Sequence, residues 1–339
     1  MRGDILNVLK TVGRAVSPRA NIPVLEGYLL SIKENKLTIT GTDLTITIRA
    51  TVEYADIEEP GEIVAGKKLL ELLTKLPDEK VVFSTINTQL IISYGINKFT
   101  MNCFSATDYP NVDTKPVGQP IKLVKGFGEI SFCCSQDDSR PVFSGVYIDT
   151  EHGKAVATDT FRLAVMDFPA IPDVPHVIIP KKFIELIPNA CDLYISDKTA
   201  MAVNDKCVYI TKLIQGNFPN WKRIIPENYL TEAVFDGHAL FQAVERAGIL
   251  SDGVDLYFSA DGINMSVRNE NGNLFETILC DEFNGEPVKV SLANKYIKEA
   301  LKPIRGKCVV KLTSEFTPMV VNDSETEGWL CVLVPRRIN

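Results

Sequence analysis

The sequence predicts an α+β chain of three similar domains in tandem, and three observations predict it. Asp108-Tyr109-Pro110-Asn111 recurs as Asn217-Phe218-Pro219-Asn220, about one third of the 339-residue chain further on. Thr42-Asp43, in GTDLTITI, recurs as Thr158-Asp159 in ATDTFRLAV at a similar offset. A further step of this size lands near Ser266, in an alternating strand broken by an Asn-Gly turn. Each third also alternates helical and strand periodicity in the same order. Seams after Tyr109-Pro110 and Phe218-Pro219 give domains over 1–116, 117–232 and 233–339.

Each third opens with a helix-period stretch, at 3–16, 123–134 and 237–250, the last behind an N-cap at Asp236. The middle one is the poorest helix because it holds Gly126 and Gly128. Strand-period runs follow, divided by turns at Glu34-Asn35, His152-Gly153 and Asp261-Gly262. A second helix comes next, at 66–77, 180–190 (with Pro180 at its first position) and 293–304, and more strands close each unit.

The totals, 45% apolar and 23% charged, are those of a globular protein. No apolar run is long enough to cross a bilayer, and the N-terminal stretch lacks signal-peptide features. The eight cysteines show no C-x-x-C, so they are expected to be reduced and mostly buried in a cytoplasmic protein. Asn264-Met265-Ser266 and Asn322-Asp323-Ser324 fit the glycosylation pattern by chance.

A net charge of −7 argues at face value against a nucleic-acid binder. Its distribution argues the other way. The six helical stretches with their flanks carry fourteen Lys or Arg and seven Asp or Glu, against twenty-two and thirty-six in the rest. An acidic protein whose helices share a basic bias can present a basic surface if they face one way. No aromatic residues interleave with the lysines, so backbone contact with duplex fits better than base stacking on single strands.

Catalysis needs a constellation of groups, and none stands out. His152, His176 and His238 have no metal-ligand spacing, and the G-x-S-x-G, P-loop and dinucleotide patterns are absent. Thr42-Asp43 and Thr158-Asp159 are conceivable nucleophile and base. The same residues satisfy backbone groups where strands begin, and their repetition favours that reading. The chain is expected to be no enzyme and to need neither metal nor cofactor.

Taken in order, RANIPVLEGYLL (19–30), GTDL (41–44), DYPN (108–111), RPVFSGV (140–146), ATDTFRLAV (157–165), NFPNWKRIIP (217–226), TPMVV (317–321) and VLVPRRI (332–338) resemble one family over the whole chain. It is the family of bacterial DNA polymerase sliding clamps, the β subunit of the replicase. The resemblance implies a head-to-tail homodimeric ring of six domains, sheets outside and helices lining a channel around duplex DNA. It implies a cytoplasmic, nucleoid-associated processivity factor. Arg19 matches a DNA-contacting position of the family, and Lys10, Arg14, Lys75, Lys181, Lys298 and Lys302 are candidate channel residues by helix placement.

The resemblance also implies a groove that docks peptides of the polymerase catalytic subunit, clamp loader, other polymerases, ligase and mismatch-repair proteins. Its matching positions are Phe143, Thr158, Thr160, Phe161, Arg162, Leu163, Pro219, Ile224, Leu333, Val334, Pro335, Arg336, Arg337 and Ile338. An apolar slot with a few polar groups suits an extended peptide with Leu or Phe anchors. Thr160-Phe161 replaces the family's Gly-His or Gly-Tyr, Phe143 stands where Leu is common, and Val334-Pro335-Arg336-Arg337 replaces a Met-rich ending. These departures bear on the shape of the pocket. The ring seam is expected at Phe99, Met101, Ile249 and Leu250. The rival readings are an enzyme using Thr158-Asp159 and a peptide-binding adaptor of the same fold that forms no ring.

Overall fold

The computed structural model describes residues 2–33, 35–53, 59–77, 80–123, 127–171 and 173–336. The first third runs α1 (Arg2–Gly13), β1 (Gly27–Lys33), β2 (Lys36–Thr42), β3 (Ile46–Glu53), β4 (Gly61–Gly66), α2 (Lys68–Lys75), β5 (Val81–Ile86), β6 (Gln89–Tyr94) and β7 (Asn97–Asn102). The middle third runs β8 (Ile121–Lys122), a 3-10 helix (Phe127–Cys133), β9 (Gly145–Asp149), β10 (Lys154–Thr158), β11 (Arg162–Asp167), β12 (Val177–Pro180), α3 (Lys181–Ile184), β13 (Asp192–Ile195), β14 (Thr199–Val203) and β15 (Cys207–Lys212). The last runs β16 (Thr231–Asp236), α4 (Gly237–Leu250), β17 (Gly253–Ser259), β18 (Gly262–Asn269), β19 (Gly272–Ile278), β20 (Cys280–Gly285), β21 (Val288–Ala293), α5 (Asn294–Leu301), β22 (Lys307–Leu312), β23 (Met319–Asp323) and β24 (Leu330–Leu333).

Two compact units cut across these thirds: Met1–Leu123 with Glu185–Leu213, and Val124–Ile184 with Ile214–Asn339. The first holds a sheet in the order β4-β1-β2-β3-β15-β14-β13-β8 and a three-stranded sheet β5-β6-β7. The second holds β12-β9-β10-β11-β24-β23-β22-β16-β20 and a four-stranded sheet β19-β18-β17-β21. Counting from the strand after each third's first helical stretch, one arrangement, a later strand beside first-second-third, occurs in every third: β4-β1-β2-β3, β12-β9-β10-β11 and β21-β17-β18-β19, with β20 drawn off to the other sheet. The thirds are joined by one rule too. The third strand of one pairs antiparallel with the last strand of the next, as β3 with β15 and β11 with β24.

Helical spacing explains how the outer helices dock. In α1, Ile5, Leu9 and Val12 fall on one face and are buried, each worth about 1.5–3 kcal/mol of removed apolar surface. Gly41 lets α1 approach closely, because a Cβ there would stand 2.8 Å from Val12 Cγ1 and from Val12 O. In α4, Leu240, Ala243, Val244 and Ala247 form the buried stripe, and Asp236 caps the helix by accepting from His238 and Ala239 N–H. Asn294 starts α5 and ties it to α4 by donating to Val244 O at 2.9 Å.

The middle third departs from the expected pair of full helices. The stretch expected as a helix over 123–134 holds a 3-10 helix, Phe127–Cys133, with residues 124–126 outside the described set. Two glycines weaken α-helix there. The helix expected over 180–190 is α3, a single turn. Pro180 closes β12 instead of opening the helix, where its missing N–H costs an edge strand nothing. Pro188 disfavours helix at the residue before it and stops the stretch early.

Candidate functional site

The repeated Thr-Asp signature builds the same turn twice. Thr42 Oγ1 donates to Ile46 O at 3.0 Å and accepts from Leu44 N–H at 3.1 Å, while Asp43 Oδ1 accepts from Thr45 and Ile46 N–H at 3.0 and 2.7 Å. Thr158 Oγ1 donates to Arg162 O at 2.6 Å and accepts from Thr160 N–H at 3.0 Å, and Asp159 Oδ1 accepts from Phe161 and Arg162 N–H at 3.0 and 3.1 Å. The third residue is left-handed in both, with φ 72° at Leu44 and 78° at Thr160. Each Thr hydroxyl gives its proton to a carbonyl and each carboxylate serves amides. The pair is turn chemistry, not a nucleophile and its base.

What differs is the sequel. Strand β11 carries Leu163 and Val165 inward to a cluster with Val156, Trp221, Val320 and Val332. Tyr147, Phe218, Ile224, Ile225, Tyr229 and Leu330 pack half-buried against it. Tyr147 stacks on Phe218 at 4.6 Å, and Phe143 meets Phe218 edge-on at 5.9 Å. Pro219 is exposed beside Phe218. Leu333 is buried opposite Arg162 in the β11–β24 ladder. Val334, 39% exposed, donates its N–H to Phe161 O at 3.0 Å, and the 55% exposed Phe161 ring stacks on Tyr296 at 6.0 Å. Thr160 and Arg336 are exposed and Pro335 is half-buried. Arg337 and Ile338 lie outside the described residues.

Arg162 is the one charged side chain buried among the described groove positions, 5% exposed beside the buried Thr158, Leu163 and Leu333. Its Nε donates to Asp159 Oδ2 at 3.1 Å and its Nη2 to Phe132 O at 2.7 Å, and Nη1 pairs with Glu299. The guanidinium also lies 4.6 Å from the Tyr296 ring centre. Burial opposes its charge, yet Cys133, Glu299 and Asp159 raise its pKa above the ordinary guanidinium value. These bonds brace the turn from within.

Trp221 and Tyr147 were not among the residues singled out from the sequence. The signal for Trp221 was present, since it follows Pro219-Asn220 in the recurring motif. Its indole N–H reaches Asp149 Oδ2 at 3.4 Å, and Asp149 Oδ1 accepts from His152 N–H at 3.0 Å. Burial works to raise the Asp149 pKa, but the His152 and Trp221 hydrogen bonds outweigh it and hold the carboxyl below its ordinary value.

The basic candidates are mostly on the surface. Lys10, Arg14, Arg19, Lys75 and Lys302 are exposed, and Lys181 and Lys298 half-buried. Arg14 is committed within its own unit, donating to Glu185 O at 3.0 Å. Lys298 lies 3.0 Å from Glu245 across the α5–α4 contact. At the expected seam, Phe99 is exposed, Met101 and Leu250 are half-buried, and Ile249 is 82% exposed.

Three family models match most of the chain: the DNA polymerase III beta subunit N-terminal domain over residues 1–113, its central domain over 120–220 and its C-terminal domain over 222–337. The chain belongs to the DNA polymerase III β-subunit family, the bacterial sliding clamps. The beta sliding clamp of Caulobacter vibrioides is 29% identical to it, over 99% of this chain and 98% of that one. The solved DNA polymerase sliding clamp of Bacillus subtilis superposes with TM-score 0.92 at 25% identity, over 100% and 98% of the two chains. The C. crescentus beta sliding clamp, solved with polyethylene glycol at a β-motif tethering region, superposes with TM-score 0.91 at 27% identity, over 99% and 97%. This clamp is a non-catalytic processivity factor, and the enzyme reading falls. Among the described residues no helix is long and apolar enough to cross a membrane, and no group of His, Cys, Asp or Glu could hold a metal ion.

Proposed function

We propose that this clamp closes head-to-tail with a second copy into a ring around duplex DNA, and tethers partner proteins through the Leu163–Trp221 groove. One observation carries the ring. Inside the chain, each third strand is completed by the last strand of the following third, as β3 by β15 and β11 by β24. Among the described residues two members of that series have one partner only: β19 pairs with β18 alone and β7 with β6 alone. Both open edges carry exposed apolar side chains, Phe275 (70%) and Leu279 (78%) with Ile249 on one side, Ile96 and Phe99 on the other. An unprotected apolar edge calls for a partner strand. The edges belong to different thirds, so each copy offers one of each, which is the heterologous contact of a ring.

The groove offers an aromatic floor and a polar rim of backbone and Thr groups to an extended peptide. The tethering region named for the C. crescentus clamp supports the same use here. Its clients are the replicative polymerase, the clamp loader, other polymerases, ligase and mismatch-repair proteins. The DNA contacts of Arg19, Lys10, Lys75, Lys302 and their fellows are weak and screened, which suits sliding. The proposed domains are 1–116, 117–232 and 233–339.

Sedimentation tests the seam. Leu250→Lys places a charge beside the β19 hairpin, where a Cβ built on Gly272 would stand 3.9 Å from Leu250 Cδ2. The unaltered chain is expected to sediment as a dimer and the variant as a monomer with unchanged circular dichroism. A stable dimer in the variant would place the seam elsewhere.

A further inference from the structure

The last described residues cross the second unit as a strap held at both ends. Val334 N–H donates to Phe161 O at 3.0 Å, and two residues later Arg336 N–H donates to Ser291 O at 2.7 Å. Ser291 belongs to β21, which pairs with β17 on its other side, so the strap takes an acceptor from the outer edge of the four-stranded sheet. The Arg336 side chain folds over Gly253, the first residue of β17. A Cβ built on Gly253 would stand 2.1 Å from Arg336 Nη1 and 3.0 Å from its Cζ, so any side chain there would take the guanidinium's place. Two strand residues on, Asp255 accepts from the Ser291 hydroxyl and lies 2.9 Å from Lys289 Nζ. Burial works to raise the Asp255 pKa; Ser291, Lys289 and Arg336 outweigh it and hold the carboxyl below its ordinary value.

We infer that Arg336 is a positioning residue for partner binding: seated on Gly253 beside Asp255, it fixes the Val334-Pro335 lip of the groove. This rests on the groove reading above. Between the two anchored amides only Pro335 remains, and its ring locks its own φ. The exposed Val334 side chain is thereby presented in one place, and a docking peptide is spared the cost of ordering it. Its place in the tail marks Arg336 as a groove position, and its side chain is held at Gly253. It acts from the sheet behind, through Gly253, Asp255 and Ser291, which no reading of the tail alone would select.

Gly253→Ala is the clean test, because the added methyl meets only the far end of a flexible side chain and the backbone there has no left-handed φ. Two readouts are used: hydrogen–deuterium exchange at the amides of Val334 and Arg336, and fluorescence anisotropy of a fluorescein-labelled hexapeptide with Leu and Phe at alternate positions. The variant is expected to exchange faster at both amides and to bind the hexapeptide roughly three- to tenfold more weakly, the scale of one lost screened charge contact. Arg336→Ala should match it, and the double variant should be no worse than either, because both remove one interaction. Unchanged exchange and affinity in Gly253→Ala, or additive losses in the double variant, would overturn the inference. Absence of hexapeptide binding by the unaltered chain would refute the groove instead, and the exchange data would still decide the strap.

Discussion

Thr160 holds a backbone that its side chain opposes. At φ 78° a β-branched residue in the left-handed region costs about 1–2 kcal/mol, and the Asp159 and Thr158 hydrogen bonds on either side hold it there. Replacing it with glycine removes the clash and adds about 0.5–1 kcal/mol of backbone entropy to be lost on folding. Thr160→Gly is therefore expected to stabilise the chain by about 0.5–1 kcal/mol, read as a higher urea midpoint with an unchanged slope. A lower midpoint would show that the Thr160 side chain makes up for its own strain. Leu44, at φ 72° in the first copy, is the internal comparison. The Thr-Asp repetition was legible in the sequence as turn chemistry. The left-handed third residue was not, since neither Leu nor Thr announces it as Gly would.

At the scale of elements, legibility followed local cause. Helix α4 was readable because its cap, Asp236, and its stripe, Leu240 to Ala247, are written side by side. Helix α3 was misjudged because Lys181 to Ala190 has a helical pattern, while Pro188 and the packing of Phe183 and Ile184 limit it to a turn. The apolar cluster was legible through Leu163 and Ile224, but the burial of Arg162 was not. Its burial depends on Glu299 and Phe132, far away in the sequence. Strand edges were the least legible, because pairing is a long-range choice. Phe275 stands in an alternating run where outward aromatic residues are easily taken for surface. The edge account predicts that Phe275→Lys weakens self-association at least about 100-fold, as burying an unpaired ammonium in an apolar seam costs several kcal/mol. Analytical ultracentrifugation across a dilution series checks it, and an unchanged dissociation constant would remove β19 from the seam.

For the whole molecule, four carboxyls report how folding responds to acid. Glu62, through Lys33 and Ser31, and Glu276, through Arg246, are held below their ordinary values. So are Asp149 and Asp255, where hydrogen bonds outweigh burial. Depressed folded pKa values mean that the unfolded chain binds more protons in acid. Their stabilisation is complete above about pH 5 and is lost as pH falls through 4 and below. The urea midpoint at fixed protein concentration should be level from pH 7 to pH 5 and drop by pH 3; a rise on acidification would reverse the sign argued here. The proposed ring holds DNA topologically, by enclosing it and not by gripping it. The most direct measurement loads the clamp on circular plasmid with a clamp loader, isolates the complex, and cuts half of it once with a restriction enzyme. Retention on circles and loss from the linearised half is the predicted result, and equal retention on both would contradict it.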